Sequence, residues 1–156
     1  MLLFVVILSL TLQPGLSQRC VNNGIPAQYD TFRIQHLNDK IPENADKSEW
    51  QKFIGHIGTW DRPIQSFFLK SEHSNAFAVC STAGKIYPSR NLCISKKPIS
   101  FYNVKVSQNK KVTDVKLITD RHVILGCEKI ENKCLPIHFE ANENKAKPAD
   151  NAPNCS

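Results

Sequence analysis

The chain has 156 residues and a formal net charge of +6 at pH 7. This length is sufficient for one compact domain and excludes a second domain of ordinary size. The positive charge favours contact with a polyanion, although lysines scattered along a chain are usually solvated surface residues. The lysines that carry much of this charge are Lys96, Lys97, Lys105, Lys110, Lys111 and Lys116.

The N-terminal residues 1–17 have most features of a secretory signal peptide. They contain no charged side chain, and the apolar run Leu2–Leu8 is too short to cross a bilayer. Small side chains at Gly15 and Ser17 suit a signal peptidase, although the usual positively charged N-terminal region is missing. We therefore expect cleavage near Gln18 and secretion of a single domain, residues 18–156, rather than a membrane anchor.

Six cysteines lie beyond the expected cleavage point. An even number in a small secreted chain predicts three disulfides, and the sequence alone leaves 15 pairings open. A zinc site is disfavoured because neither Cys-x-x-Cys nor His-Glu-x-x-His spacing occurs. We therefore expect neither a metal nor a cofactor. The six are Cys20, Cys80, Cys93, Cys127, Cys134 and Cys155.

The first predicted helix runs from Gln28 to Leu37. Tyr29, Phe32 and His36 recur at spacings of three and four residues, which places them on one stripe of that helix. His36 should therefore lie at the edge of a buried face.

Two further helices are predicted from capping and periodicity. Ser48–Gln51 has the form of a capping box, and Gly55 with Gly58 favours an end to the helix that follows. Ser74 could cap a third helix that extends to Cys80. The apolar positions of the second helix are Trp50, Phe53, Ile54 and Ile57.

The second half of the chain changes to a period of two residues, typical of antiparallel strands. Alternation over Tyr102–Val106 and at Val115 and Leu117 predicts two half-buried strands, and His122–Cys127 predicts a more buried one. Alternation over Leu135–Glu140 should bury one side and direct an imidazole and a carboxylate from the other. The polar tail, 141–156, would be expected to be disordered were it not for the tether that Cys155 offers.

Several short segments, in this order along the chain, resemble the pancreatic-type ribonuclease superfamily over the region from Tyr29 to Glu140. This resemblance implies an α+β fold with three short helices packed on a bent antiparallel sheet and linked by disulfides. The segments are Phe32-x-x-Gln35-His36, Asp61-Arg62-Pro63-Ile64-Gln65-Ser66-Phe67, Ala78-Val79-Cys80, His122-Val123-Ile124-Leu125-Gly126-Cys127 and Pro136-Ile137-His138-Phe139-Glu140.

The resemblance implies cleavage of single-stranded RNA without a metal. His36 would be the general base for a ribose 2′-hydroxyl, and His138 would be the acid that protonates the departing 5′-oxygen. Gln35 would donate to a phosphate oxygen, and Glu140 would orient His138. The residues expected to help bind substrate further are Gln65, Ser66 and Phe139.

The chain departs from the family pattern at three points. Arg62 stands where the family has a lysine, so phosphate binding should survive better than turnover. Asp61 replaces a cysteine, and two of the family's bridges look absent. The resemblance implies the pair Cys80–Cys127, while the pairs Cys134–Cys155 and Cys20–Cys93 are a guess based partly on amphibian members.

Each of these residues has an ordinary structural alternative. A lone histidine such as His36 or His138 is more often a packed or surface residue than a catalyst, and His122 is expected to be structural. We expect a monomer for either function. The sequence leaves a second function open, that of a catalytically weak or inactive cationic binding protein in host defence or receptor signalling. Such a protein would bind RNA, heparan sulfate or an anionic membrane surface without useful turnover.

Overall fold

A computed structural model describes residues 20, 22–58, 62–88 and 91–156 of the chain. The expected signal peptide, residues 1–17, and Asp61 lie outside the described residues. The helices are α1 Pro26–His36, α2 Lys47–Ile57 and α3 His73–Ala78, the last preceded by a 3₁₀ turn at Lys70–Glu72. The strands are β1 Ile64–Phe68, β2 Gly84–Ile86, β3 Leu92–Ser95, β4 Phe101–Val106, β5 Val112–Ile118, β6 Ile124–Ile130 and β7 Lys133–Glu140.

The strands form two antiparallel sheets with the orders β1-β4-β5 and β2-β3-β6-β7. The predicted α+β class, with three helices, antiparallel strands and disulfides, is confirmed. Strands β1, β2 and β3 were not predicted as strands. Two of them, β2 and β3, are only three and four residues long, too short to show a clear alternation.

Helix α1 begins at Pro26 and ends at His36, so it starts two residues before the predicted Gln28 and excludes Leu37. Proline is favoured at the first helical position because a backbone N–H at that position would have no partner within the helix. The lack of an N–H in proline therefore costs no hydrogen bond there. The backbone N–H of Ile25 is satisfied by the side chain of Gln28 at 2.9 Å. The predicted stripe is present, with Phe32 and His36 buried and Tyr29 half-buried.

Helix α2 begins at Lys47, and the predicted cap at Ser48 is wrong. The Asp46 carboxylate caps the helix instead, accepting from the backbone N–H groups of Ser48 at 2.9 Å and Glu49 at 3.0 Å. Asp46 can do this because the chain is already extended there, and a carboxylate also favours the positive end of the helix dipole. The C-terminus is closed by Gly58 at φ 64°.

The predicted cap of α3 at Ser74 is also wrong. The helix begins at His73, directly after the 3₁₀ turn, and its N-cap residue Glu72 makes no side-chain capping bond. The 3₁₀ turn leads directly into the helix. The last residues of the turn therefore stand at the positions where a separate capping residue would otherwise be found.

The expectation from the alternation that Leu117 shares the buried face of its strand with Val115 is wrong. Leu117 is 46% exposed, whereas Val115 is buried. Both residues are on the edge strand β5, where Val115 pairs with Val104 and Leu117 pairs with Tyr102. A two-residue period assigns a residue to a face of the sheet but does not show whether a helix covers that part of the face.

Two apolar cores stabilise the fold. One lies between α2 and the three-stranded sheet, with Trp50 against Phe67 and Tyr102 at centroid distances of 5.3 Å. The other includes Phe32 of α1 and Phe68 of β1, together with the buried disulfide Cys80–Cys127. Strand β1 therefore contributes neighbouring residues to both cores, and its position relative to α1 is set by packing on both sides.

The predicted disulfide Cys80–Cys127 is confirmed, with a Cα–Cα distance of 5.6 Å. The guess for the remaining cysteines is wrong, since Cys20 pairs with Cys134 and Cys93 pairs with Cys155.

The N-terminal segment explains the first of these pairs. Lys129 of β6 bonds to Asn22 and Gly24 through backbone hydrogen bonds of 2.9 and 3.0 Å. Lys129 also pairs with Cys134 across β6 and β7. The segment that contains Cys20 is thereby held beside the strand pair that carries Cys134.

The C-terminal tail explains the second pair. Ile86 of β2 donates its backbone N–H to Pro153 at 3.0 Å, and Cys155 donates to Gly84 at 3.1 Å. Because Ile86 pairs with Cys93 on β3, the tail brings Cys155 close to Cys93. The tether expected at Cys155 is therefore present, through this disulfide and the backbone bonds to β2.

Among the described residues, the helices are all too short or too polar to span a membrane.

We expect Asp46→Ala to lower the free energy of unfolding by about 1 kcal/mol, because two helical N–H groups lose their acceptor. Ser48→Ala is the matched control and should cost clearly less, since its hydroxyl only bonds the exposed Asp46 carboxylate. Chemical denaturation of both variants measures the difference. A larger loss for Ser48→Ala would restore the capping box predicted from the sequence.

Candidate active site

A cavity of about 290 Å³ lies where the end of α1, strands β1 and β4, the segment before β6 and the end of β7 meet. Five of the eight predicted site residues line it: His36, Arg62, Gln65, Ser66 and Phe139. His138 and Glu140 line an adjoining, more open groove. Gln35 is not among the described residues that line either depression.

His36, the last residue of α1, is buried and donates a hydrogen bond to β1. Its Nδ1 lies 2.7 Å from the backbone oxygen of Ser66, and its ring stacks on Phe139 with centroids 5.4 Å apart. A carbonyl oxygen can only accept, so Nδ1 must carry the proton. In the neutral ring, Nε2 is then the basic nitrogen.

Burial lowers the pKa of His36 to about 4. This pKa already includes the opposing effect of the hydrogen bond to Ser66, which raises it, and smaller electrostatic effects of Arg62 and His138, which lower it. His36 is therefore neutral at physiological pH and able to accept a proton, but it is a weak base.

Gln65 fixes the position of β1 relative to α1. Its side-chain amide donates to the backbone oxygen of Gln35 at 2.8 Å. Because Gln35 precedes His36 and Gln65 precedes Ser66, this bond runs beside the bond between His36 and Ser66. The amide nitrogen of Gln65 thus positions the imidazole, although the residue also lines the cavity.

Asn103 is a cavity residue that sequence reasoning missed. The hydroxyl of Ser66 donates to Asn103 Oδ1 at 2.6 Å, and the two residues are directly paired across β1 and β4. The alternation around Asn103 indicated only which side of the strand it occupies. Finding it would have required the register between β1 and β4, which the sequence does not show.

His138 and Glu140 lie on the same side of β7, as the strand period predicted. His138 Nε2 is 3.0 Å from Glu140 Oε2, and the side chains are 43% and 50% exposed. Gly126 pairs with His138, and a Cβ there would lie 3.1 Å from the His138 Cβ. The glycine therefore leaves room for His138, which would have to shift by a few tenths of an ångström if residue 126 had a side chain.

Phe139 joins the two histidines structurally. It follows His138 in β7, and its ring contacts His36, Phe68 and Phe101 with centroid distances of 5.4, 5.6 and 5.5 Å. This packing places the backbone of His138 next to a residue that touches His36. The cavity with His36 and the groove with His138 are consequently neighbours.

Arg62 is exposed and lines the cavity two residues before β1. His122 also lines the cavity, but its Nδ1 is bound to the backbone oxygen of Ser95 at 2.7 Å. That bond holds the His122 ring against the end of β3. Within the described part of the chain, no group of three or more histidine, cysteine or acidic side chains could hold a metal ion.

Comparison with known proteins shows what this fold is. No protein-family model matches the sequence, and no curated protein matches it significantly. The structure of zebrafish RNase5 is similar, with a TM-score of 0.56 and 17% identity, covering 74% of this chain and 94% of that one. RNase ZF-1A is similar at a TM-score of 0.54 and 23% identity, covering 75% and 92% of the two chains. The chain therefore has the fold of the pancreatic-type ribonucleases.

The low pKa of His36 predicts a loss of stability in acid. The unfolded ring takes up a proton below about pH 6.5, whereas the folded ring does so only near pH 4, so stability falls as the pH drops through this window. Through this difference in pKa, His36 lowers the free energy of unfolding by about 3 kcal/mol as the pH falls to 4. We expect His36→Gln, which cannot titrate, to lose correspondingly less stability between pH 7 and pH 4 by chemical denaturation. Carboxylates titrate in the wild-type protein and in the variant alike, so they do not contribute to the difference between the two. An equal loss of stability in acid for both would contradict the low pKa of His36.

Proposed function

We propose that this protein is a secreted endoribonuclease that cleaves single-stranded RNA by transphosphorylation without a metal. The observation that carries the proposal is the bond from His36 Nδ1 to the Ser66 carbonyl, which makes Nε2 the basic atom of a ring lining a cavity. The neighbouring His138, bound by Glu140, supplies a second imidazole for proton transfer. Three disulfides are compatible with an extracellular location.

In the first step, His36 Nε2 accepts the proton of a ribose 2′-hydroxyl. The 2′-oxygen attacks the adjacent phosphorus, and the bond from phosphorus to the 5′-oxygen breaks. His138 donates a proton to that oxygen, from Nδ1 because Nε2 is bound to Glu140. The products are a 2′,3′-cyclic phosphate and a free 5′-hydroxyl. DNA is not a substrate because it lacks the nucleophile.

The cyclic phosphate is opened in a second step by the same groups. His138, now neutral, takes a proton from water, and the water oxygen bonds to phosphorus. The bond to the 2′-oxygen breaks as His36 returns its proton to that oxygen. Both histidines are thus restored to their starting protonation states.

Charge on the phosphate oxygens would be stabilised by Arg62, which lines the cavity. The phosphate contact expected of Gln35 is not part of this proposal, because Gln35 lines neither the cavity nor the groove. Arg62 is permanently charged and binds phosphate well, but its planar fork does not match a compact ammonium placed against one oxygen. Ser66 and Phe139 would contact the base. Glu140 would hold the orientation of His138.

Two features favour slow turnover. Arg62 is a poorer match than lysine for the charge that builds on one phosphate oxygen, and a base with a pKa of about 4 takes a proton less readily than an ordinary histidine. These features also support the alternative function, a cationic protein that binds RNA, heparan sulfate or an anionic membrane surface without useful turnover. In that case the cavity would bind nucleotides but would not convert them.

We expect His138→Ala to lower RNA cleavage by about 10²–10⁴-fold, because the departing 5′-oxygen loses its proton donor. His56→Ala is the matched control, since His56 is exposed on α2 and outside the cavity. Initial rates on a fluorogenic RNA oligonucleotide measure the effect. Equal rates for the wild-type protein and His138→Ala would reject the enzyme and leave only binding or contamination.

Arg62→Lys should raise the rate of RNA cleavage severalfold. A compact ammonium can approach a single phosphate oxygen, and loss of such an electrostatic contact typically costs about 10²–10³-fold. Arg33→Lys makes the same exchange at an exposed site on α1 and should leave the rate unchanged. An unchanged rate in Arg62→Lys would show that residue 62 does not reach the phosphate.

A further inference from the structure

The tripeptide Asn154-Cys155-Ser156 has the form that accepts an N-linked glycan. This form is asparagine, then any residue except proline, then serine or threonine, and it occurs once in the sequence. Such a match is informative only where the asparagine lies on the surface of a chain that enters the secretory pathway. The structural surroundings of Asn154 therefore decide whether the tripeptide can carry a glycan.

Asn154 is exposed, on the tail segment that runs antiparallel to β2. Its two neighbours make the backbone bonds that hold this segment. Ile86 donates to the Pro153 oxygen at 3.0 Å, and the Cys155 N–H donates to Gly84 at 3.1 Å. Since side chains alternate along an extended backbone, Asn154 points away from the side on which Cys155 is buried. A glycan on Asn154 would extend into solvent without breaking either bond.

The other two residues of the tripeptide are fixed in the folded chain. Cys155 is buried in the disulfide with Cys93, and the Ser156 hydroxyl donates to the Cys80 oxygen at 3.3 Å. An enzyme that attaches a glycan must surround the tripeptide, which is impossible while the tail is bonded to β2 and β3. Attachment must therefore come before the Cys93–Cys155 bond closes.

We propose that Asn154 is an N-glycosylation site and that closure of the Cys93–Cys155 disulfide competes with its modification. This inference rests on the secretion included in the proposed function, because both reactions take place in the lumen of the secretory pathway. Asn154 and Cys155 enter that compartment together, so both reactions begin at the same moment. A chain whose disulfide closes first stays without a glycan. A chain that is modified first still closes the disulfide, because Asn154 faces solvent.

The group transferred is an oligosaccharide linked through pyrophosphate to a lipid. Asn154 Nδ2 bonds to the anomeric carbon of the first sugar, and the bond from that carbon to the pyrophosphate oxygen breaks. The lipid pyrophosphate leaves, and the amide proton passes to a base of the transferase. Closure of the competing bond instead removes two protons and two electrons from Cys93 and Cys155, which pass to the thiol oxidants of the same compartment.

The glycan should leave the candidate active site open. Asn154 is not among the described residues that line the cavity or the groove. The glycosylated and unglycosylated forms should therefore cleave a short RNA at the same rate, and they would differ in the surface that they present beside β2.

The test expresses the full chain, preceded by a signal peptide of established function, in cultured animal cells. The mass of the product is measured before and after enzymatic removal of N-linked glycans. We expect part of the wild-type protein to lose the mass of a glycan, and Asn154→Gln and Ser156→Ala to lose none. Both variants retain all six cysteines. A wild-type protein without a glycan, or a mass loss that persists in Asn154→Gln, would overturn the inference.

Two cysteine variants test the competition. Cys93→Ser leaves the tripeptide intact but removes the partner of Cys155, so the ratio of glycosylated to unglycosylated chain should rise severalfold. Cys20→Ser is the matched control, since it also leaves one unpaired thiol but breaks the bond to Cys134, and its ratio should stay near that of the wild type. An unchanged ratio in Cys93→Ser, or an equal rise in both variants, would contradict the competition. Cell lysate and medium are both measured, so a variant retained in the cell still gives a ratio.

The added signal peptide separates this inference from the proposed secretion. It brings the chain into the lumen whatever residues 1–17 do, so a missing glycan counts against the site alone. If the natural chain without this addition were found only inside cells, the proposed extracellular location would be rejected and the assignment of Asn154 would be unaffected.

Discussion

The buried hydrogen bond from His36 Nδ1 to the Ser66 carbonyl connects the fold to its chemistry. It joins the end of α1 to the centre of β1, at a point where β1 packs into both cores. The same bond decides which ring nitrogen of His36 is basic. His36 is buried where it makes this bond, and burial also lowers the pKa of its imidazole. The ring is therefore held firmly in place, but it is a weaker base than an exposed histidine. A neutral His36 with Nε2 unprotonated follows from the packing alone.

The disulfides secure the segments around the candidate site from both ends of the chain. Cys20–Cys134 attaches the N-terminal segment near the start of β7, the strand that carries His138, and Cys93–Cys155 attaches the tail to β3. The first part of that tail lines both the cavity and the groove through Asn142 and Glu143. Asn142 is itself buried and bonds to His122 and Ala146, which closes the turn at this wall.

Patterns within short stretches of the sequence correctly predicted those features that depend only on neighbouring residues. The apolar spacing of α2 predicted its buried Trp50 face, and alternation along β7 placed His138 and Glu140 on one side. The prediction of the α2 cap failed because Asp46 and Ser48 are both suitable capping residues. Which of two such residues caps a helix cannot be decided without knowing the backbone conformation. Asn103 was missed because its place in the cavity depends on the register between β1 and β4. The two wrong disulfides have the same origin, since β-pairing of the chain termini decides which cysteines meet.

The tail residues that pair with β2 also limit how this protein can associate. Pro153 and Cys155 occupy backbone groups along β2, the outer strand on one side of the four-stranded sheet. An uncovered strand of this kind offers its free amides and carbonyls to a second chain, which is how sheets extend between molecules. Here the chain's own C-terminus fills that position and is fastened by a covalent bond. Intermolecular sheet growth is therefore blocked on this side for as long as the Cys93–Cys155 bond is intact.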